Sequence, residues 1–249
     1  MLLLPYMVSN ATIYGMDEMT VHDAAAALSV TERQVTRLAR AGSITIAREV
    51  GNSLLLNSAS VHRMVQSSRH PGRPWSPEVS WAALALLSQC KVDWIASPTQ
   101  ITRLKHRLRR SSAAEVAYLA RNRATTHHME TWGEGDVDVL IRGGYLAATG
   151  ISAIIHVPKT AARFGLSSAR HGKADGYIVD DDFDDVVEQF GMLSQNGDVT
   201  LRVVSALNPF FRTATLPIAA VAVDLMESLD TRQRSAGTRV LQELLDDFR

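Results

Sequence analysis

The sequence predicts a mostly α-helical protein with an α/β part, and three observations support this fold class. Helix caps followed by apolar residues at helical spacing recur from Thr20 to Asn122. Beyond Asn122, short apolar stretches typical of strands alternate with helical segments. The 249 residues are 46% hydrophobic and 21% charged, which is typical of a folded chain with room for two domains and excludes collagen-like or disordered proteins.

Two short helices are predicted near the N-terminus, after a leader of residues 1–18. Thr20–Asp23 has the residues of a helix cap, and the helix it opens runs over residues 21–28. Ser29-Val30 then makes a tight turn. A second capping sequence, Thr31–Gln34, opens another helix that continues through Arg40. The two helices therefore meet across only a few residues.

A hairpin and a third helix are predicted next. Ile44–Ala47 and Leu54–Leu56 are short apolar strands, and Gly51-Asn52 between them tolerates the positive φ that a hairpin turn needs. Ser58 can cap the following helix, which is predicted from Val61 to Gln66. A hairpin in this position is typical of the wing of a winged helix.

The spacing of apolar and small residues across the first two helices is typical of a helix-turn-helix. Ala25 is small enough for the helices to approach closely, and Ser29 lies in the turn. Val35 and Leu38 point inward and hold the second helix in place. With the hairpin, this pattern predicts a winged helix-turn-helix DNA-binding domain over residues 19–70.

The second helix of this domain presents arginines on the side away from its buried residues. Arg33, Arg37 and Arg40 are spaced at i, i+4 and i+7. In the major groove, arginine can bind guanine O6 and N7 through two hydrogen bonds, and glutamine suits adenine N6 and N7. The wing would contact phosphate or the minor groove. The predicted contacts are Thr31, Arg33, Gln34, Arg37 and Arg40 on the helix, of which Arg33, Gln34 and Arg37 read bases, and Arg48 and Asn52 on the wing.

A basic helical segment, residues 75–124, follows with helices predicted at 77–90, 98–110 and 113–122. Ile101, Leu104 and Leu108 form the buried stripe of the second of these helices. The rest of its surface carries five positive charges in eight residues, which predicts phosphate contacts and a steep salt dependence. These residues are Arg103, Lys105, Arg107, Arg109 and Arg110. A solvated basic face is the alternative.

Residues 125–249 are predicted to form an acidic α/β domain that binds a partner or mediates self-association. Strands are expected at Val137–Ile141, Tyr177–Val179 and Val199–Val204, a helix starts at the acidic residues 180–182, and two helices close the chain at about 218–228 and 231–247. Residues 1–124 hold 15 Lys and Arg against 8 Asp and Glu, whereas the remainder holds 11 against 18. This asymmetry indicates that the N-terminal half binds a polyanion, although charge also fluctuates along any chain.

The residues 20–35, with the predicted wing and the helix after it, resemble the excisionase and MerR-type winged helix-turn-helix domains. The resemblance covers residues 19–68. The family usually has Gly where this chain has Ser29, and Ser adopts a left-handed turn at a greater cost. The resemblance implies binding to duplex DNA through the second helix.

A second resemblance covers most of the remaining chain. This part of the chain is similar to an actinobacterial group of helix-turn-helix proteins. Their layout is similar to that of AbiE-type antitoxins, which are autorepressors. The segments concerned are Gly72–Ser76, Trp81–Ser88, Val92–Trp94, Arg107–Arg110, Val199–Val204 and Leu216–Leu225. The resemblance implies a DNA-binding transcriptional regulator, an antitoxin with a cognate toxin protein as partner; an excisionase-like accessory protein of a mobile element is the alternative. A homodimer remains open.

An enzyme is the rival hypothesis from another class. Asp136 and Asp138, two residues apart on a predicted strand, are typical of a Mg²⁺-dependent nucleotidyltransferase. The Gly-Ser motif that would position a triphosphate is missing upstream, where residues 125–128 stand instead. The acidic run at 180–185 lacks the spacing of a Ca²⁺ loop, and His127-His128 lacks that of a zinc site. We therefore expect no catalytic activity, metal or cofactor.

The sequence also bears on the compartment. A secretory leader is not expected, because the first residues lack a basic region and a cleavage site. No segment approaches the ~20 apolar residues of a membrane span. Cys90 stands alone and cannot form an internal disulfide, which fits a reducing cytoplasm.

Overall fold

The computed structural model describes residues 18–51, 53–66, 73–167, 173–194, 197–206, 208, 210 and 216–249, except for the side chains at 134 and 135. The fold is a mixture of helices and sheets, as expected. The chain divides into two compact units, one up to Val65 and one from Gln66 onward.

The first unit contains short helices and a small antiparallel sheet. Its elements are β1 (Glu18–Thr20), α1 (Val21–Leu28), α2 (Glu32–Arg40), β2 (Ile46–Val50), β3 (Ser53–Asn57) and α3 (Ser58–Gln66). The strand order is β1-β3-β2, and Glu18 lies opposite Asn57. β1 was not anticipated, because a three-residue strand has no periodicity of its own and exists through its pairing with β3.

The caps and the turn of this unit have the geometry that their residues favour. The Oγ1 atoms of Thr20 and Thr31 accept hydrogen bonds from the third backbone N–H after each of them, at 3.1 and 3.3 Å. Ser29 takes the left-handed conformation with φ 53° and ψ 46°. It therefore ends α1 in the way that Gly would, despite its side chain. The unit closes over one core formed by Ala24, Ala25, Val35, Ala39, Ile44, Leu56 and Val61.

The second unit surrounds a four-stranded sheet with helices. Its elements are α4 (Pro77–Leu87), α5 (Pro98–Leu108), α6 (Ala113–Leu119), a 3-10 turn (Arg121–Arg123), β4 (Thr125–Met129), α7 (Glu134–Arg142), β5 (Ala147–Ala148), α8 (Gly150–His156), α9 (Pro158–Phe164), β6 (Ala174–Val179), α10 (Asp180–Gln189), β7 (Val199–Val204), α11 (Ile218–Met226) and α12 (Thr231–Phe248). The strand order is β4-β7-β6-β5. β6 and β7 are parallel, and the two outer pairs are antiparallel.

Two hydrophobic cores lie in this unit. Adjacent residues of β6 enter different cores, since Tyr177 packs in one and Ile178 in the other. The larger core joins Leu108 and Val116 to Leu241 of α12. Helices on both sides of the expected boundary at residue 124 therefore share one core, and the basic segment does not pack as a separate body.

The expected strand at Val137–Ile141 is wrong, because these residues belong to α7. Val137 and Leu140 are buried, whereas Val139 is 49% exposed, which is a helical pattern. A short apolar run does not distinguish a buried strand from a helix, and here the helix forms. Several helices also end earlier than expected, at residues 87, 108, 119 and 226. Among the described residues, no helix has the length and apolar character needed to cross a membrane.

Candidate nucleic-acid interface

Helix α2 has one buried side and one exposed basic side. Val35 and Ala39 are buried, and Leu38 packs beside them against the core of the first unit. Arg33, Arg37 and Arg40 are exposed. Within the described chain, the guanidinium groups of these arginines have no hydrogen bond or ion pair. They are free to bind an anionic ligand from solvent.

The other two predicted contacts of α2 lie at its first turn. Thr31 is exposed and caps the helix by accepting a hydrogen bond from the backbone N–H of Gln34. The Gln34 side chain is half-buried, so it is less accessible than the neighbouring arginines. The first turn therefore offers base contacts that are more restricted than those of Arg33 and Arg37.

An ion pair connects α1 and α2 across the turn. His22 Nδ1 lies 2.8 Å from Glu32 Oε1, and both side chains are well exposed. The hydrogen bond to Glu32 raises the pKa of His22 above its ordinary value. Glu32 occupies the first turn of α2, where a carboxylate also complements the helix dipole.

On the β2–β3 hairpin, the predicted wing, Arg48 has a carboxylate partner. Its Nε and Nη2 atoms donate to the two carboxylate oxygens of Glu18 at 2.8 and 3.0 Å. This hydrogen bonding lowers the pKa of Glu18. Contact between Arg48 and a phosphate would therefore require Glu18 to share or release the guanidinium. Asn52, the other predicted wing contact, lies outside the described residues.

Helix α5 has most of the expected buried stripe but only part of the expected free charge. Leu104 and Leu108 are buried, whereas Ile101 is half-buried. Arg107 forms an ion pair with Glu115 of α6, and the Arg109 guanidinium lies 5.7 Å from the centre of the Phe248 ring. Arg109 and Arg110 follow the last residue of the helix. In the described part of the chain, Arg103, Lys105 and Arg110 have no side-chain partner, and Lys105 is half-buried.

A second group of charged residues lies inside the second unit, and sequence reasoning missed it. Arg123 and Arg202 are 2% and 3% exposed, and Asp224 of α11 is 1% exposed. Arg123 Nε donates to Asp224 Oδ1 at 3.0 Å, and Arg202 binds both oxygens of Asp175 at 2.7 and 3.1 Å. Glu227 accepts from Arg123 at 2.7 Å and also binds Arg202. We call Arg123, Asp175, Arg202, Asp224 and Glu227 the buried charge cluster.

Neutral groups complete the hydrogen bonding of the buried charge cluster. The hydroxyl of Tyr177 accepts from Arg123 at 2.9 Å and donates to Asp224 at 3.0 Å. Thr149 donates its hydroxyl hydrogen to Asp224 as well. The groups of the cluster satisfy one another, which is what buried charges require. Its function is to join the sheet to α11 and the 3-10 turn.

The electrostatics of the cluster are strongly perturbed. Burial alone would raise the pKa of Glu227, but Arg123 and Arg202 lower it to about 2. Burial raises the pKa of Asp175, against the opposing effect of Arg202. Burial also raises the pKa of Tyr177 well above its ordinary value, so its hydroxyl keeps its proton.

A sequence signal for the cluster existed. Arg202 interrupts the apolar strand Val199–Val204, and Asp224 interrupts the apolar helix Ile218–Met226. A charge within an apolar run needs a buried partner of opposite sign. This sequence pattern indicates that a buried partner exists, but it does not identify the residue.

The carboxylates proposed for nucleotidyl transfer are not arranged to share a cation. Asp136 and Asp138 lie on α7, where residues two apart point about 200° away from each other around the helix. Asp138 instead lies 3.4 Å from Arg142. The strand on which the enzymatic hypothesis depended is therefore wrong.

The other residues weighed as metal ligands have structural contacts. His127 packs against Phe183 with ring centres 4.7 Å apart, whereas His128 lies 3.2 Å from the Thr200 hydroxyl. Asp180 accepts a hydrogen bond from the backbone N–H of Ala206. In the ranges that the structure describes, no group of three or more His, Cys, Asp or Glu could hold a metal ion.

Comparisons with known proteins give no relative. No protein-family model matches this sequence, and no curated protein or solved structure is significantly similar to it.

Proposed function

We propose that the protein is a sequence-specific duplex-DNA-binding regulator whose helix α2 reads bases in the major groove. The observation that carries this proposal is the exposed, unpartnered row of Arg33, Arg37 and Arg40 on a helix whose opposite side is fixed by Val35 and Ala39. Rigid placement matters, because base recognition requires the guanidinium groups to be held at a defined position.

The geometry of the first unit supports a winged helix-turn-helix. α1 and α2 are joined by three residues with Ser29 in the left-handed conformation, and the β2–β3 hairpin follows. The major groove is about 12 Å wide and admits one such helix. Arg33 and Arg37 would bind base edges, and Arg40 would bind phosphate at the end of the helix.

Helix α5 would add contacts to the DNA backbone. Arg103 and Arg110 are exposed and free of partners in the described structure, whereas Arg107 is neutralised by Glu115. Fewer cations are thus available than the five counted in the sequence. We expect α5 to contribute affinity that depends on salt but not on sequence.

An antitoxin and an excisionase-like accessory protein would share this DNA-binding function. They would differ in what the second unit binds. A neighbouring, co-transcribed gene for a toxin would favour the first, and its absence would favour the second.

The decisive experiment selects bound sequences from a random duplex library and then compares the selected site with a scrambled one at fixed salt. Arg33→Ala or Arg37→Ala is expected to cost about 1–3 kcal/mol on the selected site, and far less on the scrambled one. Arg232→Ala, which removes an exposed arginine of α12, is the matched control and should leave both affinities unchanged. A protein that binds both duplexes equally, or α2 variants that lose both affinities equally, would refute base reading.

A further inference from the structure

In the part of the chain that the structure describes, the sheet of the second unit has one open edge longer than two residues. β4 is the outermost strand, and within the described residues it pairs only with β7. Thr125 and Thr126 are exposed. Among the described strands, none pairs with the outer side of β4, and Leu193 forms an isolated bridge with Glu130 just beyond its end. Such an edge is a template for pairing with another extended chain.

β4 lacks the features that normally keep edge strands apart. Its five residues, Thr125–Met129, include no Lys, Arg, Asp, Glu or Pro. The edge strand β2 of the first unit, by contrast, carries Arg48 and Glu49, and the opposite edge of the larger sheet, β5, is only two residues long. β4 is thus the least protected of these edges.

Large apolar side chains are exposed beside the end of β4. Glu130 and Leu193 exchange backbone hydrogen bonds of 2.9 and 3.0 Å, which places Leu193 next to the strand. Leu193 is 46% exposed, and Trp132, two residues beyond Glu130, is 81% exposed. Tryptophan is a common anchor of protein interfaces. An exposed Trp next to an unprotected edge indicates an interaction surface.

We propose that two copies of the chain associate by antiparallel pairing of β4 with β4 about a two-fold axis. The two four-stranded sheets would then form one continuous eight-stranded sheet. Identical strands without Lys, Arg, Asp or Glu can pair without placing these charges opposite one another, whereas antiparallel pairing of β2 with itself would bring Arg48 and Glu49 of the two copies together. Two-fold pairing of β4 with β4 uses both β4 edges, so the edges that remain in the joined sheet are the two-residue β5 strands.

The choice of a second copy as occupant rests in part on the proposed function. A dimer would supply two α2 helices, and such dimers read DNA sites that mirror the protein's two-fold symmetry. Burial lowers the pKa of His127 at the centre of the strand, which disfavours a charged imidazole at the axis.

Sedimentation equilibrium of the full chain without DNA tests the association. We expect a mass of twice 27.3 kDa at micromolar concentration. Thr126→Lys places a charge on the edge and should raise the dimer dissociation constant at least about tenfold. Thr238→Lys makes the same change on the exposed side of α12 and should leave the constant unchanged. A protein that is still monomeric at roughly 100 µM would overturn the proposal, because any association would then be very weak. A dimer whose dissociation constant does not change in Thr126→Lys would also overturn it.

Oxidative cross-linking tests the register without depending on a destabilised variant. Full pairing of β4 with β4 sets residue 127 opposite the same residue of the second copy, at the Cα separation of about 4.5–5.5 Å that a disulfide accepts. His127→Cys in a Cys90→Ser background should form a covalent dimer. Thr238→Cys in the same background should not. Equal cross-linking of both variants would contradict β4 pairing.

The dimer and the DNA-binding function can fail separately. If β4 does not pair, wild-type protein remains a monomer while Arg33→Ala still weakens binding to a single half-site. If α2 does not read DNA, Thr126→Lys still dissociates the dimer in the absence of DNA. Trp132→Ser should weaken the dimer in either case, because it removes the exposed anchor.

Discussion

Two sets of arginines in this protein have the same chemistry and opposite surroundings. Arg33 and Arg37 of α2 are exposed and have no partner within the described chain, whereas Arg123 and Arg202 are almost completely buried and bind carboxylates. The first set is available to a ligand. The second set is occupied by ion pairs inside the fold and is not available. Local charge density therefore does not indicate function until the partners of each charge are known.

Helix α5 lies between these extremes. Arg103 and Arg107 of α5, with Arg110 just after its end, repeat the i, i+4, i+7 spacing of the arginines on α2. Glu115 neutralises the middle one, so the same sequence pattern presents fewer free cations. One carboxylate on a neighbouring helix is enough to change a continuous basic row into separated charges.

The largest expected effect is the loss of stability when a buried arginine, and not an exposed one, is replaced. Replacing Arg202 by Met leaves Asp175 without its main partner in the interior and removes one of the two guanidiniums that bind Glu227. Loss of one member of a buried ion pair costs about 3–5 kcal/mol, so we expect urea denaturation to show a loss of that size. Arg37→Met, at an exposed site, should change the free energy of unfolding by less than about 0.5 kcal/mol.

Arg202→Lys provides a second variant if the Met variant does not fold. Lysine keeps the charge but cannot form the two parallel hydrogen bonds to Asp175, so an intermediate loss is expected. Equal stability of Arg202→Met and Arg37→Met would show that the buried charge cluster does not hold the second unit together.

A smaller effect is expected on how the free energy of unfolding changes at acid pH. Glu227 has a pKa of about 2, below its ordinary value of 4.5. A group with a lowered pKa in the folded state contributes stability that is present above its unfolded pKa and is lost as the pH falls towards the folded value. Glu227→Gln should therefore be less stable than the wild type at pH 7, and the difference should shrink between about pH 4.5 and 2.

Exposure limits the size of this difference. The Glu227 side chain is 37% exposed, so solvent screens its attraction to the arginines. Asp175 has a raised pKa and acts with the opposite sign, but it is present in both proteins, so its contribution largely cancels in the difference. Glu188→Gln, on the exposed side of α10, is the matched control. Wild-type and Glu227→Gln curves that stay parallel from pH 6 to 2 would contradict the lowered pKa.

Local features of the fold were predictable from sequence because they depend on neighbouring residues. The caps at Thr20, Thr31 and Ser112 are made by side chains that accept hydrogen bonds within three residues. The turn at Ser29 was predicted for the same reason. The exposed row on α2 follows from its spacing relative to Val35.

Features that depend on distant residues were not predictable. β4 has no alternating pattern and forms through pairing with β7, whose paired residues lie 70 to 78 positions further along the chain. Arg123 was counted with the basic segment, yet its partner Asp224 lies 101 residues further along the chain. Glu18 ends the predicted leader, and nothing near it in the sequence identifies it as the partner of Arg48. In each case the sequence shows one member of the pair, but the other member is identified only from the three-dimensional structure.

The smallest expected effect concerns the ion pair between α1 and α2. The pKa of His22 is raised by its hydrogen bond to Glu32, and the contribution to stability is present in full below pH 6.5, the ordinary value, and lost as the pH rises through the raised value. Both side chains are exposed, so the effect on unfolding is small compared with that of Arg202. Titration of the histidine ring protons by NMR measures it directly.

Glu32→Gln should return the pKa of His22 most of the way to 6.5, with Asp23 accounting for the remainder. Glu49→Gln, an exposed change on the wing, should leave it unchanged. An identical His22 pKa in wild type and Glu32→Gln would mean that α1 and α2 are joined only by the turn at Ser29 and by the core.

The same variant also separates this contact from DNA binding. Removing the carboxylate beside the basic row should strengthen binding to any duplex while leaving the preference for the selected site, because the added attraction is not directed at bases.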